Sequence, residues 1–333
     1  MSTIRIVFLG TSAAVPQKDR FLSSIALQRE NGEVLLFDCG EGTQYQLMKF
    51  NVNFQRISRI LLTHLHGDHI FGLFGLLNTM NLMGRQAPIK IFGPAGTQEF
   101  IEAILGTKKN HGFSFPVEMK EIEEGLVYET KKYRLFAQKV PHSVYSLSFA
   151  YIEKPRLGRF NVQKAKELKV KRGPKWNQLQ EGEPVLSEEN KVVLPEMVLG
   201  KKRRGFKLIF GSDGLYPPET FVPFAHQADV LILEATFGDE EEEHAYEKLH
   251  STARLSARIA KQANVKRLYL THISPRYNDP TVLEKQAREE FPETIIAYDG
   301  LEINLNRSDL EKEERERAKE KPEKKTRNKK RKK

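Results

Sequence analysis

The sequence is short of cysteine. A single cysteine, Cys39, in 333 residues excludes an internal disulfide and points to a reducing compartment, with the cytoplasm as the expected location. It also excludes a thiolate metal cluster, so any metal must be held by His, Asp or Glu. No apolar run reaches the roughly 18 residues of a membrane span, and no membrane partner is expected. The opening MSTIRIVFLG lacks the basic-then-apolar order of a signal peptide and reads as a first β-strand. Apolar residues make up 39% of the chain. That is ordinary for a globular protein, and the length suffices for one large domain or two small ones.

The net charge of +10 is unevenly spread. Residues 153–176 carry nine Lys/Arg against two Asp/Glu, and residues 310–333 carry thirteen against six, so each segment is +7 and the remainder is −4. Two basic segments on a mildly acidic body suit phosphates, acidic lipid or acidic protein.

Along the first 150 residues, short β-rich runs (IRIVFLG, IALQRE, VLLFDCG, ISRILLTHLH, IKIFGP, YRLFAQKV) alternate with helical ones (GLFGLLNTMNLMG, GTQEFIEAIL). Strands resume with FKLIFGSDG, ADVLILEATFG and RLYLTHIS. Helices follow at STARLSARIAKQANV, where Leu255, Ile259 and Ala263 lie four apart, and at TVLEKQAREEF; TIIAYDGLEINL closes the domain. Two β/α halves predict sheets with helices outside them. Between about Lys154 and Gly205 the apolar periodicity is poor, which predicts an inserted arm with little core. The segment after Asp309 has mixed charge and ends in KKTRNKKRKK, a composition expected to be disordered.

Three of the nine histidines lie within six residues, in LLTHLHGDHIFG. A strand end carrying His64 and His66 two apart directs both to one side. Gly67 lets the chain turn, bringing Asp68 and His69 alongside. Imidazole plus carboxylate suits zinc or a similar divalent ion. Four adjacent donors are too many for one catalytic ion and too few for two. His142 in KVPHS, Asp213 in LIFGSDG and His272 in YLTHIS, each ending a strand-like run, would complete two shells, and a carboxylate such as Asp213 can bridge two ions. Asp38 in FDCGEG is expected to support a ligating histidine from behind. Cys39 is expected to be packed and inert, and His111, His226 and His244 to be ordinary, the last beside a solvated Glu240–Glu243 face.

The order FLGTSAAVPQKDR, FDCGEGTQYQL, LLTHLHGDH, VPHS, GSDG, LILEATF, HSTA and THISPRY over about residues 4–305 resembles the metallo-β-lactamase superfamily. Within that superfamily it resembles the ribonuclease Z family of tRNA 3′-processing endonucleases. That resemblance implies a four-layer αβ/βα sandwich over residues 1–308, with a protruding, flexible tRNA-binding arm inserted at about 153–204 and a basic tail at 309–333. It implies two zinc ions per subunit, one on His64, His66 and His142, the other on Asp68, His69 and His272, with Asp213 bridging. Asp68 is implied as general base and His250, held by Glu234, as proton donor to the leaving oxygen. The substrate implied is precursor tRNA, cut to leave a 3′-hydroxyl on the tRNA and a 5′-phosphate on the trailer. A homodimer is implied as well.

The arm residues Lys164, Lys166, Lys169, Lys171, Arg172 and Lys175 are expected to meet RNA phosphates, a salt-sensitive contact without sequence readout. Two rival readings are a small-molecule phosphodiesterase of the same superfamily, which needs no arm, and a non-catalytic RNA-binding protein, which needs no complete donor set.

Overall fold

A computed structural model describes residues 4–107, 112–310 and 312. The described residues divide into two compact units, the first formed by residues 4–152 and Lys207–Asp309, the second by Glu153–Phe206.

The first unit opens with β1 (Ile4–Gly10), β2 (Ser24–Arg29), β3 (Val34–Phe37), α1 (Thr43–Lys49) and β4 (Ile57–Leu61). These are followed by α2 (Gly67–Ile70), α3 (Gly72–Leu82), β5 (Ile89–Gly93), α4 (Thr97–Leu105), β6 (Val117–Glu121), β7 (Gly125–Glu129), β8 (Tyr133–Val140) and β9 (Ser146–Glu153). The second unit supplies α5 (Val162–Glu167), α6 (Pro174–Glu181), β10 (Val185–Leu186), β11 (Val192–Val193) and α7 (Pro195–Val198). The chain then returns through β12 (Lys207–Phe210), α8 (Pro218–Ala225), β13 (Val230–Glu234), α9 (Glu242–Glu247), α10 (Ala253–Gln262), β14 (Leu268–Thr271), α11 (Thr281–Glu290), β15 (Thr294–Ile296) and β16 (Glu302–Leu305).

Two seven-stranded sheets result, ordered β16-β1-β2-β3-β4-β5-β6 and β15-β14-β13-β12-β9-β8-β7. Val7, Leu9, Leu36 and Ile60 on one face of the first sheet pack with Leu47 of α1, Leu73, Leu76 and Leu77 of α3 and Ile101 of α4. On the second sheet, Leu231, Leu233, Leu268 and Leu270 pack with Phe221 of α8, Ala253, Ala257 and Ala260 of α10 and Leu283 of α11. The opposite faces meet each other: Phe37 of the first sheet stacks on Phe210 of the second at 3.7 Å between ring centroids, and Phe8 lies 5.9 Å from Tyr269. Because both faces of each sheet are buried, β3, β12 and β13 are almost continuously apolar rather than alternating. This is the expected αβ/βα sandwich.

Two local expectations change. Ile259 and Ala263 face the core as expected, but Leu255 is only half-buried, and Ala253, Ala257 and Ala260 complete the buried stripe of α10; small alanines let the helix approach the sheet closely. Residues 153–206 are not poor in core either. Ala165, Val170, Trp176, Leu179, Val185, Val193 and Val198 are buried together, with Phe160 and Leu199 against them. Helices of four to eight residues and strands of two are too short to display a period, which is why the core is hidden in the sequence. The expectations for the tail lie almost wholly outside the described residues.

Candidate metal centre

The site lies where the strands β3, β4, β12, β13 and β14 end. Strand β4 stops at Leu61, so His64 and His66 project from the loop that follows, not from a strand edge. Their convergence comes from a backbone clamp rather than from the two-residue period of a strand. Cys39 N–H donates to His69 O at 2.8 Å, and Gly72 N–H donates to Cys39 O at 2.9 Å. Gly40 and Gly72 let these turns touch: a Cβ on Gly72 would stand 2.0 Å from Gly40 O, and one on Gly40 2.4 Å from Asp68 O. On the second sheet, Leu215 N–H donates to Pro141 O at 2.9 Å, drawing the Asp213 turn against His142. Gly214, at φ +147°, has no room for a side chain against Pro141.

These clamps bring all seven expected donors together. The donor atoms of His64, His66 and His142 lie within 4.8 Å of one another, and so do those of Asp68, His69, Asp213 and His272. Asp213 Oδ2 is 2.9 Å from His272 Nε2, 3.2 Å from His69 Nε2 and 3.9 Å from His64 Nε2. Asp68 Oδ2 is 3.4 Å from His272 Nε2 and accepts from Ala14 N–H at 2.9 Å.

The outward nitrogens are held from behind. His69 Nδ1–H donates to Asp38 Oδ2 at 2.7 Å, and His142 Nδ1–H to Leu249 O at 2.9 Å. Asp38 also accepts from Thr63, both N–H (2.7 Å) and hydroxyl (2.9 Å); the hydroxyl oxygen in turn lies 2.9 Å from His64 Nδ1. Thr236 Oγ1 is 2.9 Å from His272 Nδ1. Such partners fix the tautomer and aim the other nitrogen inward. Ala14, Asp38, Leu249 and His272, four of the nine non-glycine residues with positive φ among the described residues, have left-handed φ between +55° and +60°, so unfavourable backbone is held at several of the points that present these groups.

Glu234, at the end of β13 and buried, lies 3.1 Å from His250 Nδ1 through each carboxylate oxygen and accepts from Gly214 N–H at 2.6 Å. The His250 ring is 4.9 Å from that of His142 and 5.6 Å from that of His272, so the pair borders the donor cluster.

Charge follows geometry. Burial opposes ionisation of Asp68, but hydrogen bonds from His272 and His69 hold its carboxyl far below the ordinary range. Burial likewise opposes ionised Asp213, which the positive charge of His272 and His69 keeps deprotonated. Burial disfavours protonated His272, yet Asp213 and Asp68 lift it to about 10. Burial also disfavours protonated His250, and Glu234 outweighs it, raising that imidazole. His64, buried among other imidazoles, is pushed well below its usual value. Two anionic carboxylates thus demand local positive charge.

The donor set fits divalent cations. His64 and His142, each donating from Nδ1, both turn Nε2 toward His66 Nδ1, at 3.1 and 3.3 Å. His69 Nε2 is buried and faces only carboxylate oxygens, Asp213 Oδ2 at 3.2 Å and Asp68 Oδ2 at 3.5 Å. A cation satisfies such inward lone pairs and neutralises the carboxylates.

Comparison with known proteins bears on the chemistry. A sequence family described as anti-Pycsar protein Apyc1 matches residues 4–153. Ribonuclease Z of Nitrosopumilus maritimus (strain SCM1) is 42% identical over 302 residues, 91% of this chain and 100% of that protein. Ribonuclease Z of Myxococcus xanthus (strain DK1622) is 42% identical over 309 residues, 92% of this chain and 99% of that protein. The chain belongs to the ribonuclease Z family. Among solved structures, human tRNase Z, short form, superimposes with a TM-score of 0.64 at 29% identity, covering 90% of this chain and 99% of that one. The metallo-beta-lactamase fold protein YhfI from Bacillus subtilis, at 19% identity and TM-score 0.65, covers 90% and 98% respectively and shares the fold.

The remaining expected residues fall elsewhere. Lys164 and Lys166 are exposed on α5, and Lys171 and Arg172 are exposed before α6. Lys169 pairs with Glu189, and Lys175 Nζ donates to Leu186 O at 2.6 Å. Trp176 is buried, its Nε1–H donating to Val170 O at 2.9 Å, so its ring belongs to a core. Cys39 is buried, and burial raises its thiol far above the ordinary range. His226 is exposed, and His244 packs edge-on against Phe237 at 5.2 Å; His111 lies outside the described residues. Thr63 and Thr236 do not stand out in the sequence, because threonine is common near strand ends. Its place two residues after Glu234, at the end of an apolar strand run, is the available signal for Thr236.

Proposed function

We propose that this chain is the metal-dependent endoribonuclease that removes the 3′ trailer from precursor tRNA. The observation that carries this reading is the convergence of seven donors and the Glu234–His250 pair in a member of the ribonuclease Z family. His64, His66 and His142 would hold one zinc ion and Asp68, His69 and His272 a second, with Asp213 available to both. Bound there, they would make a water nucleophilic near neutral pH and offset charge on the phosphate.

The chain's own groups do the rest. Asp68, kept ionised and held by Ala14 N–H, accepts the proton of the attacking water and orients it in line with the 3′ oxygen. His250, kept protonated by Glu234, delivers a proton to that leaving oxygen, giving a 3′-hydroxyl on the tRNA and a 5′-phosphate on the trailer. Lys164, Lys166, Lys171 and Arg172, with Lys169 and Lys175 nearby in sequence, engage tRNA phosphates by charge and shape. In this reading the enzyme works as a homodimer in the cytoplasm. The test is incubation of purified protein with end-labelled precursor tRNA, with and without chelator. Cleavage at the 3′ boundary that chelator stops and zinc restores is expected. Chelator-resistant cleavage, or hydrolysis of small phosphodiesters alone, would overturn the proposal.

A further inference from the structure

The two sheets hold their donors by matching devices. On the first, Asp38 accepts the Thr63 hydroxyl, whose oxygen faces His64 Nδ1. On the second, Glu234 accepts the hydroxyl of Thr236, whose oxygen faces His272 Nδ1 at 2.9 Å. A hydroxyl has one proton to give. Donated to the Glu234 carboxylate, nearer than His272 O at 3.1 Å, it leaves the Thr236 oxygen as an acceptor for His272 Nδ1–H, so that Nε2, on the side of Asp213 and Asp68, is the nitrogen that would meet a cation. Thr236 is only 5% exposed, so water cannot readily replace the hydroxyl. Glu234 thereby serves three neighbours: His250 directly, the backbone after Asp213 through Gly214 N–H, and His272 through Thr236.

We infer that Thr236 is a positioning residue that couples the Glu234–His250 pair to the donor His272, so that one carboxylate orients both the proton donor and a metal donor. The inference rests on the reading of His272 as a metal donor. It predicts that Glu234, which is not one of the seven expected donors, nonetheless sets zinc affinity. Deleting the hydroxyl strands the His272 Nδ1–H in a buried place and frees the ring to turn.

The test is zinc competition against a chromophoric chelator with the full-length protein. Thr236→Val is isosteric and lacks only the hydroxyl. It should weaken the more loosely held zinc by about 10–100-fold, the usual effect of losing an outer partner of a ligating histidine. Thr236→Ser, which keeps the oxygen, should stay within about threefold of the wild type. Glu234→Gln should weaken zinc as well, and the double variant should be no weaker than the worse single one, since both changes cut the same chain. If Thr236→Val does not fold, judged by near-ultraviolet circular dichroism, Thr236→Ala takes its place.

Wild-type zinc affinity in folded Thr236→Val would overturn the inference. So would equal losses in the Val and Ser variants, or fully additive losses with Glu234→Gln. Precursor-tRNA cleavage by the wild type is measured alongside. A wild type that binds no zinc overturns the reading of the site and this inference together, whereas zinc binding unaffected by Thr236→Val overturns the inference alone.

Discussion

His250 Nδ1 lies 3.1 Å from both oxygens of the Glu234 carboxylate. Burial opposes protonation of that imidazole and the Glu234 charge outweighs it, while Nδ1 in the fork leaves Nε2 as the nitrogen that can serve the leaving oxygen. Replacing His250 by Ala should therefore lower kcat for precursor tRNA by about 10²–10⁴-fold, the usual contribution of a general acid. Zinc content should be unchanged, because none of the seven donors is altered. Turnover at the wild-type rate with metal in place would remove His250 from the reaction.

The exposed cations of the second unit should act on binding rather than chemistry. Changing Lys164, Lys166, Lys171 and Arg172 to Ala leaves the buried residues of that unit untouched. KM for precursor tRNA should rise with little change in kcat. The dependence of log KM on log salt should flatten by roughly 0.7–0.9 for each phosphate that is no longer neutralised. Hydrolysis of a small phosphodiester should be unaffected. An unchanged salt dependence would show that RNA is held elsewhere.

Trp176 tests whether the second unit depends on its own core. Trp176→Ala removes the largest side chain of that cluster and should cost about 3–5 kcal/mol locally. Hydrogen exchange should accelerate over residues 153–206 and stay slow in β3, β4, β13 and β14. Uniform loss of protection across both units would show a single cooperative structure instead.

That tryptophan also shows what a sequence discloses and what it hides. In KRGPKWNQL it stands among cations and glycine, the composition of a surface loop, and nothing marks it as buried. The seven donors are legible because three of the nine histidines, with an aspartate, fall within six residues, and because their partners end apolar runs. The sheets are legible from Val, Ile and Leu runs cut by glycine. The groups behind the donors are not: Leu249 acts through a carbonyl, Ala14 through an N–H, and neither function depends on side-chain type. His64 and His66 are neighbours in space, as their spacing suggests, but strand periodicity is not the cause; the close approach of Gly40 and Gly72 aims that loop.

Away from the site, Glu33 governs an acid limb of stability. It accepts from Arg29 (2.7 Å), Ser58 (2.8 Å) and Tyr133 (3.2 Å) and also pairs with Arg59. Burial raises its carboxyl, but Arg29, Ser58 and Arg59 outweigh this and hold it below the ordinary 4.5. The folded chain thus releases this proton more readily than the unfolded one. The resulting stability is complete above about pH 4.5 and is lost as pH falls through the lower folded value. Glu33→Gln should cost about 2–4 kcal/mol at pH 7 by stranding two guanidinium groups. Its urea midpoint should then fall less steeply than the wild type's below pH 4.5. Parallel midpoints from pH 7 to pH 3 would show that Glu33 has no such role.

The donors are divided between the loop after β4 on one sheet and the ends of β8, β12 and β14 on the other, with His64 and His272 208 positions apart. A polypeptide still emerging from the ribosome cannot gather them until the second half has been synthesised and docked. Tight cation capture is therefore a late event in biogenesis and a chemical stamp of completed assembly, withheld from any fragment that stops short of the closing histidine.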